Sequence, residues 1–126
     1  MTTSTSTTTE LVHAYYASWQ HGSASFDDAQ LRRILDPQLL FEGPIAGRRV
    51  GVDGFMRGLA DFVSSLRGLR MLQQVCADND AASLYECDLG ATGGPLRFAE
   101  FISTEGNRIT SIKLVYDPAE FRRLTS

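Results

Sequence analysis

The sequence predicts an α+β domain, helices first and a meander of antiparallel strands after them. Three observations carry this. Apolar side chains recur with a helical period up to Leu66 and with a two-residue period beyond it, and Gly68 marks the change. The later runs are separated by the turn-forming strings Asp78-Asn79-Asp80, Thr92-Gly93-Gly94-Pro95 and Gly106-Asn107. The chain has 126 residues, 43% hydrophobic and 21% charged, which suits one core and leaves no room for a second domain.

Residues 1–9 are rich in Thr and Ser and have nothing to bury, so they are expected to be a disordered lead to a single domain spanning residues 10–124. Thr8 or Thr9 can cap a first helix that carries Leu11, Tyr15 and Trp19 on one face and ends by Gly22. Ser25 and Asp28 resemble a capping box for a short second helix with Leu31, Ile34 and Leu35, which Asp36-Pro37 stops. Residues 39–42 form a short strand, and Gly43-Pro44 and Gly47 break into a loop. Arg48 and Arg49 in that loop guard a rim or face water. A third helix follows, striped by Val52, Phe55, Met56, Leu59, Phe62, Val63 and Leu66. Strands are expected at 69–77, 81–91, 96–104 and 108–116, and a terminal helical turn after Pro118. Both parities of the third of these are apolar, Phe98 and Ile102 against Ala99 and Phe101, so the sheet needs a cover on each face.

Several function classes are excluded. The net charge is −3 and the basic residues are scattered, so no nucleic-acid stripe exists. No run approaches a membrane span, and the N-terminus lacks the basic and apolar regions of a secretory signal. Cys76 and Cys87 lie out of register on paired strands and read as free thiols, which fits a reducing, cytoplasmic setting. His13 and His21 lack partners at zinc-ligand spacing, His13 reading as a helix-surface residue, and no Gly-rich loop precedes a helix, so no metal and no cofactor are expected.

Four strings, in order and at consistent spacing, resemble the nuclear transport factor 2-like superfamily of ketosteroid isomerases, SnoaL-like polyketide cyclases and limonene epoxide hydrolases. They are Tyr15-Tyr16-Ala17-Ser18-Trp19-Gln20-His21-Gly22; Phe41-Glu42-Gly43-Pro44 with Gly47 and the helix at 55–66; Ala99-Glu100-Phe101; and Arg108-Ile109 running to Tyr116-Asp117-Pro118. The resemblance implies a cystatin-like α+β roll: three helices in the concave face of a strongly curved, mostly antiparallel sheet around a deep apolar pocket. It also implies a homodimer through the outer sheet face. Trp19, Phe41, Phe55, Leu59, Phe98, Ile102, Leu114 and Tyr116 are the expected ligand-binding residues.

The chemistry implied by each branch matches only in part. Against the isomerases, Tyr15 falls at a tyrosine donor and Glu100 near a protonated acid, but the base position holds Gly43, and strand alternation turns Glu42 to the other face. Against the cyclases, the base position holds Leu114 and the partner histidine is Glu100. Against the hydrolases, the Arg-x-Asp pair reads Glu86-Cys87-Asp88 and the last position is again Leu114.

Glu100 alternates with Leu96, Phe98 and Ile102, so burial should keep it protonated or paired. Its setting depends on the last turn. A two-residue loop would set it across from Lys113; a three-residue loop with Asn107 in the left-handed region would set it on the face of Ile112, Leu114 and Tyr116. The candidate catalytic residues are Glu100, Tyr15 and Asp88, the last as base only if it faces inward, since Tyr85, Cys87 and Leu89 hold the more apolar parity of its strand. Two functions compete: an isomerase, cyclase or hydrolase acting on a polyketide-, terpenoid- or steroid-like compound, and a non-catalytic binding or dimerising protein that needs the pocket but not the base.

Overall fold

The computed structural model describes residues 5–126. In chain order the elements are helix α1 (Thr5–Ala17), a 3-10 turn (Gly22–Ser25), helix α2 (Asp28–Ile34), strands β1 (Leu35–Gly43) and β2 (Gly47–Val50), helix α3 (Val52–Ser65), strands β3 (Leu66–Cys76), β4 (Asp80–Leu89), β5 (Gly94–Glu105) and β6 (Arg108–Val115), and helix α4 (Pro118–Thr125). The class is α+β as expected, with one mixed sheet of order β2-β1-β6-β5-β4-β3. All its pairings are antiparallel except β1 with β6, which brings Phe41 beside Ile112. The strong curl expected of the sheet is absent; the ladder is open, and its end strands β2 and β3 do not pair with each other.

Several local expectations need correction. Helix α1 begins at Thr5. Residues 1–4 of the expected disordered lead lie outside the described residues, and residues 5–9 are helical. Thr8 is fully buried; its hydroxyl donates to the Asp78 carbonyl at 2.6 Å and sits 2.9 Å from the Thr104 hydroxyl, which ties this helix to the β3–β4 turn and the end of β5. Helix α2 is capped by Asp27, which accepts from the Gln30 amide at 3.0 Å, and not by Ser25. Residues 47–50, read as loop, form the edge strand β2, because pairing with β1 satisfies their backbone groups.

The core forms on one side of the sheet. On β4 the buried positions are Ala81, Ser83, Tyr85, Cys87 and Leu89, and on β5 they are Leu96, Phe98, Glu100, Ile102 and Thr104. Met56, Leu59 and Val63 of α3 join them, as does the aromatic face of α1 with Tyr15, Tyr16 and, in the turn after it, Trp19. On the opposite side Val75, Phe101 and Val115 stay exposed. Both cysteines are free.

The β5–β6 register decides where Glu100 points. The turn is the two-residue kind, Glu105 facing Arg108, and Gly106 rather than Asn107 takes the positive φ of 61°. Thr104 faces Ile109, but Ser103 faces Ser111, so Thr110 is an extra residue, a β-bulge. Past the bulge Glu100 faces Leu114, and Lys113 faces Phe101 on the outer side. The pocket-side register is therefore the correct one, reached by a bulge instead of a longer loop.

Candidate functional site

Between the inner sheet face, α3 and α4 lies a cavity of about 770 Å³. Its deep wall is aromatic. Tyr15 and Trp19 come from α1 and the turn after it, Phe41 from β1, Phe55 and Phe62 from α3, and Tyr85 from β4. The rings brace each other: Phe41 lies 5.3 Å from Phe55, Trp19 5.8 Å from Phe62, and Tyr15 5.7 Å from Trp19. Such edge-to-face and tilted contacts add to the burial energy and hold the wall in one arrangement. At the C-terminal end α4 completes the wall with Phe121, which stacks on Phe62 at 6.2 Å.

One buried carboxyl stands in this wall. Glu100 is 2% exposed, and its carboxyl is the acceptor for three phenols. The Tyr15 hydroxyl donates to Oε2 at 2.8 Å, and those of Tyr16 and Tyr85 donate to Oε1 at 2.7 and 2.8 Å. On the neighbouring strand the Ser83 hydroxyl, whose residue faces Glu100 across the ladder, accepts from the Gln74 side-chain amide at 3.1 Å. Polar side chains therefore continue from the carboxyl across the inner face of the sheet to half-buried Gln74. Desolvation pushes the Glu100 carboxyl above its ordinary value, while the phenols, which favour the charged form, offset only part of the rise. Burial and the nearby carboxylate likewise push Tyr15, Tyr16 and Tyr85 up. Beside this cluster the Trp19 indole N–H is buried and has no hydrogen-bond partner among the described residues.

The expected site residues divide by position. Glu100, Tyr15, Trp19, Phe41, Phe55, Leu59, Leu114 and Tyr116 all line the cavity. Phe98 and Ile102 share the face of Glu100 but lie in the core behind the wall; Phe98 is covered by Tyr85 at 5.5 Å and Tyr116 at 5.1 Å. Asp88 does not face inward. It sits on the outer face of β4, where Arg70 binds it at 2.8 Å and holds its carboxyl below the usual range, so it has neither the position nor the basicity of a cavity base. Glu86 on the same face bridges Arg70 and Arg97.

Gly43 is inward-facing, and a side chain there would press on the Phe41 ring at 3.1 Å, which would have to shift to admit it. Sequence reasoning missed Tyr16 and Tyr85 as partners of Glu100; the inward parity of Tyr85 was the available signal, whereas Tyr16 read as an apolar flank. Among the described residues no three His, Cys, Asp or Glu side chains gather where they could hold a metal ion, and no helix is long and apolar enough to cross a membrane.

No protein-family model matches the chain, and no curated protein matches it in sequence. Solved structures do match. A protein from Kribbella flavida is 23% identical, with 91% of this chain and 90% of that one covered and a TM-score of 0.79. A nuclear transport factor 2-like protein of unknown function from Cytophaga hutchinsonii is 19% identical, with 91% and 94% covered and a TM-score of 0.71. A protein from Jannaschia named as a SnoaL-like polyketide cyclase is 8% identical, with 94% and 92% covered and a TM-score of 0.75. At these identities the likeness carries the fold and not the chemistry. The protein has the nuclear transport factor 2-like, SnoaL-like fold.

Proposed function

We propose that the cavity receives a small, largely apolar molecule bearing a carbonyl or hydroxyl oxygen, of the polyketide, terpenoid or steroid type, and that Glu100 with its phenols binds that oxygen. The observation that carries the reading is a carboxyl, 2% exposed, held by three phenols in the wall of an apolar cavity. Desolvating a carboxylate without a cation is costly, and an amide or hydroxyl could have served the phenols as acceptor. Tyr15 and Tyr85 reach the cavity together with Glu100.

The proton count defines the chemistry. With Glu100 ionised, all three phenol protons point at it, and the cluster offers only acceptors to a ligand hydroxyl. With Glu100 protonated, its own proton goes to one phenol oxygen, and that phenol is released to donate to a ligand carbonyl. Transfer of that phenol proton to the carbonyl oxygen, refilled from Glu100, leaves a protonated, cationic carbonyl paired with a carboxylate that the phenols stabilise; an enol would form only with the further loss of an α-proton to a base. Isomerase, cyclase and hydrolase steps that begin with a polarised oxygen are open to such a site.

A second reading, retention without turnover, has its own support. Asp88 faces outward, and Gly43 and Leu114 stand where related enzymes place bases. The two readings are separated by incubating the protein with a mixture of apolar ketones and phenols, identifying retained species by native mass spectrometry, and assaying those for turnover. Turnover lost in Glu100→Gln and Tyr15→Phe supports the enzyme; retention with no turnover supports the binding protein; no retained species defeats both.

The outer sheet face supports a further part of the proposal, a homodimer, and the two free cysteines fit a cytoplasmic setting. Val75, Phe101 and Val115 are 55%, 49% and 57% exposed on that face. Sedimentation should show a dimer that Phe101→Asp converts to a monomer; a monomeric parent protein removes this part.

A further inference from the structure

The open side of the cavity carries two arginines that the proposed oxygen site does not use. Arg49 faces Phe41 across the β1–β2 ladder, so it shares the inward face of a residue whose ring lines the cavity. Arg57 reaches the same wall from α3, beside Gly54 and Gly58. The structure makes ion pairs with Arg32, Arg70, Arg97 and Arg123. Neither Arg49 nor Arg57 is ion-paired among the described residues; the one side-chain hydrogen bond there runs from Arg49 Nε to the Ala46 carbonyl at 3.0 Å and leaves the rest of that guanidinium open. Besides Glu100, Asp61 is the carboxylate in the cavity lining, and among the described residues it makes no ion pair with either arginine; Asp53, already bound by Arg32, lies within electrostatic reach of Arg57. In a chain of net charge −3, the lining apart from Glu100 thus holds two cations and one anion.

Resting on the function proposed above, we infer that the ligand is an apolar organic acid: its ring or chain body lies on the aromatic wall, and its carboxylate or other oxyanion is held by Arg49 and Arg57. Guanidinium groups suit this because their planar forks pair with oxyanions in two-point contacts and give up hydration more readily than an ammonium. Two arginines from separate elements that converge on one cavity wall would be set to grip a single group. Gly58 leaves space on this side of α3, where nothing lies within 4 Å of the point at which a side chain would begin, whereas the Arg57 guanidinium lies 3.8 Å from that point at Gly54. The ligand is then gripped at both ends, the anion at the mouth and the oxygen at Glu100.

The test compares two dyes with the same ring system, 8-anilinonaphthalene-1-sulfonate and the uncharged N-phenyl-1-naphthylamine, titrated into the full chain. The sulfonate should bind at least about tenfold tighter at low salt, an advantage that shrinks as salt screens the rim. Arg49→Gln/Arg57→Gln should bring the two dyes to within about twofold of each other while leaving the neutral dye unchanged. Gly58→Phe, which fills the mouth, should abolish binding of both. Equal affinities in the parent protein overturn the anion site and leave the oxygen site standing. So does a sulfonate advantage that survives the double substitution, or sulfonate binding that survives Gly58→Phe. Failure of both dyes to bind overturns this inference together with the function on which it rests.

Discussion

The carboxyl of Glu100 has three hydrogen-bond donors and no neighbouring cation, so its protonation and the stability of the fold are coupled. Its folded-state value lies above the ordinary one of about 4.5, which means that the folded protein holds this proton more tightly than the unfolded chain does. The contribution to stability is complete below about 4.5 and is lost as pH rises through the folded-state value. Denaturant unfolding from pH 4 upward should show this decline in the parent protein, and Glu100→Gln should lack it. Glu100→Ala strands three buried hydroxyls and should cost about 3 kcal/mol or more, against roughly 1–2 for Glu100→Gln. Each of Tyr15→Phe, Tyr16→Phe and Tyr85→Phe removes a donor that favours the carboxylate. Each should therefore move the pH-dependent loss to higher pH, besides costing about 1.5 kcal/mol. A pH profile unchanged by all three would show that the phenols do not control this carboxyl. Ser83 faces Glu100 across the β4–β5 ladder without bonding its carboxyl, so Ser83→Ala should shift the same profile less than Tyr16→Phe does.

Two elements position this chemistry without touching it. The bulge at Thr110 turns the inner end of β6 so that Leu114, and not Lys113, stands across from Glu100. Had the turn register continued, an ammonium would face the carboxyl and the site would be an ordinary cross-strand ion pair. Helix α4 closes the other side. Leu124 is 5% exposed and packs against Gly90 and Gly94. A side chain at Gly90 would start 1.8 Å from the Leu124 carbonyl oxygen, a backbone atom that cannot move alone, and Gly90 has a φ of 71°. Gly90→Ala should therefore lift α4 from the sheet, cost about 2 kcal/mol or more, and expose the C-terminal residues to limited proteolysis. Gly94→Ala meets the flexible end of the Leu124 side chain at 2.5 Å and should cost less. If the two variants behave alike, the backbone approach at Gly90 does not hold α4 in place.

At the scale of the whole molecule the cavity is a packing defect maintained against the tendency of cores to fill. Interiors are close-packed, so a space of about 770 Å³ persists only where a rigid wall holds it open. Here the rigidity comes from the linked rings of α1, α3 and the sheet, and Trp19, the chain's one tryptophan, sits among them, 1% exposed. Occupying the cavity should therefore stabilise the fold. With N-phenyl-1-naphthylamine at a hundred times its dissociation constant the gain should be about 2.7 kcal/mol, and Trp19 emission should fall as the dye takes up its energy. A dye that binds without raising the unfolding midpoint would be bound to the unfolded chain as well, or to no defined cavity.

The sequence by itself determined the class, the order of helices and strands apart from β2, and the parity that Glu100 shares with Leu96, Phe98 and Ile102. These follow from local periods, 3.6 residues for a helix and two for a strand, which are written in neighbouring residues. It also placed Tyr15 and Trp19 on one face and Asp88 on the less apolar side of its strand. Only the tertiary structure decided that Tyr16 and Tyr85 join Tyr15 on one carboxyl, that β1 lies parallel to the last strand, and that Arg49 and Arg57 share one wall. The reason is physical. A contact between residues 15 and 100 depends on a one-residue bulge, on crossing angles and on ring packing summed over the whole core, and none of these leaves a period in the chain.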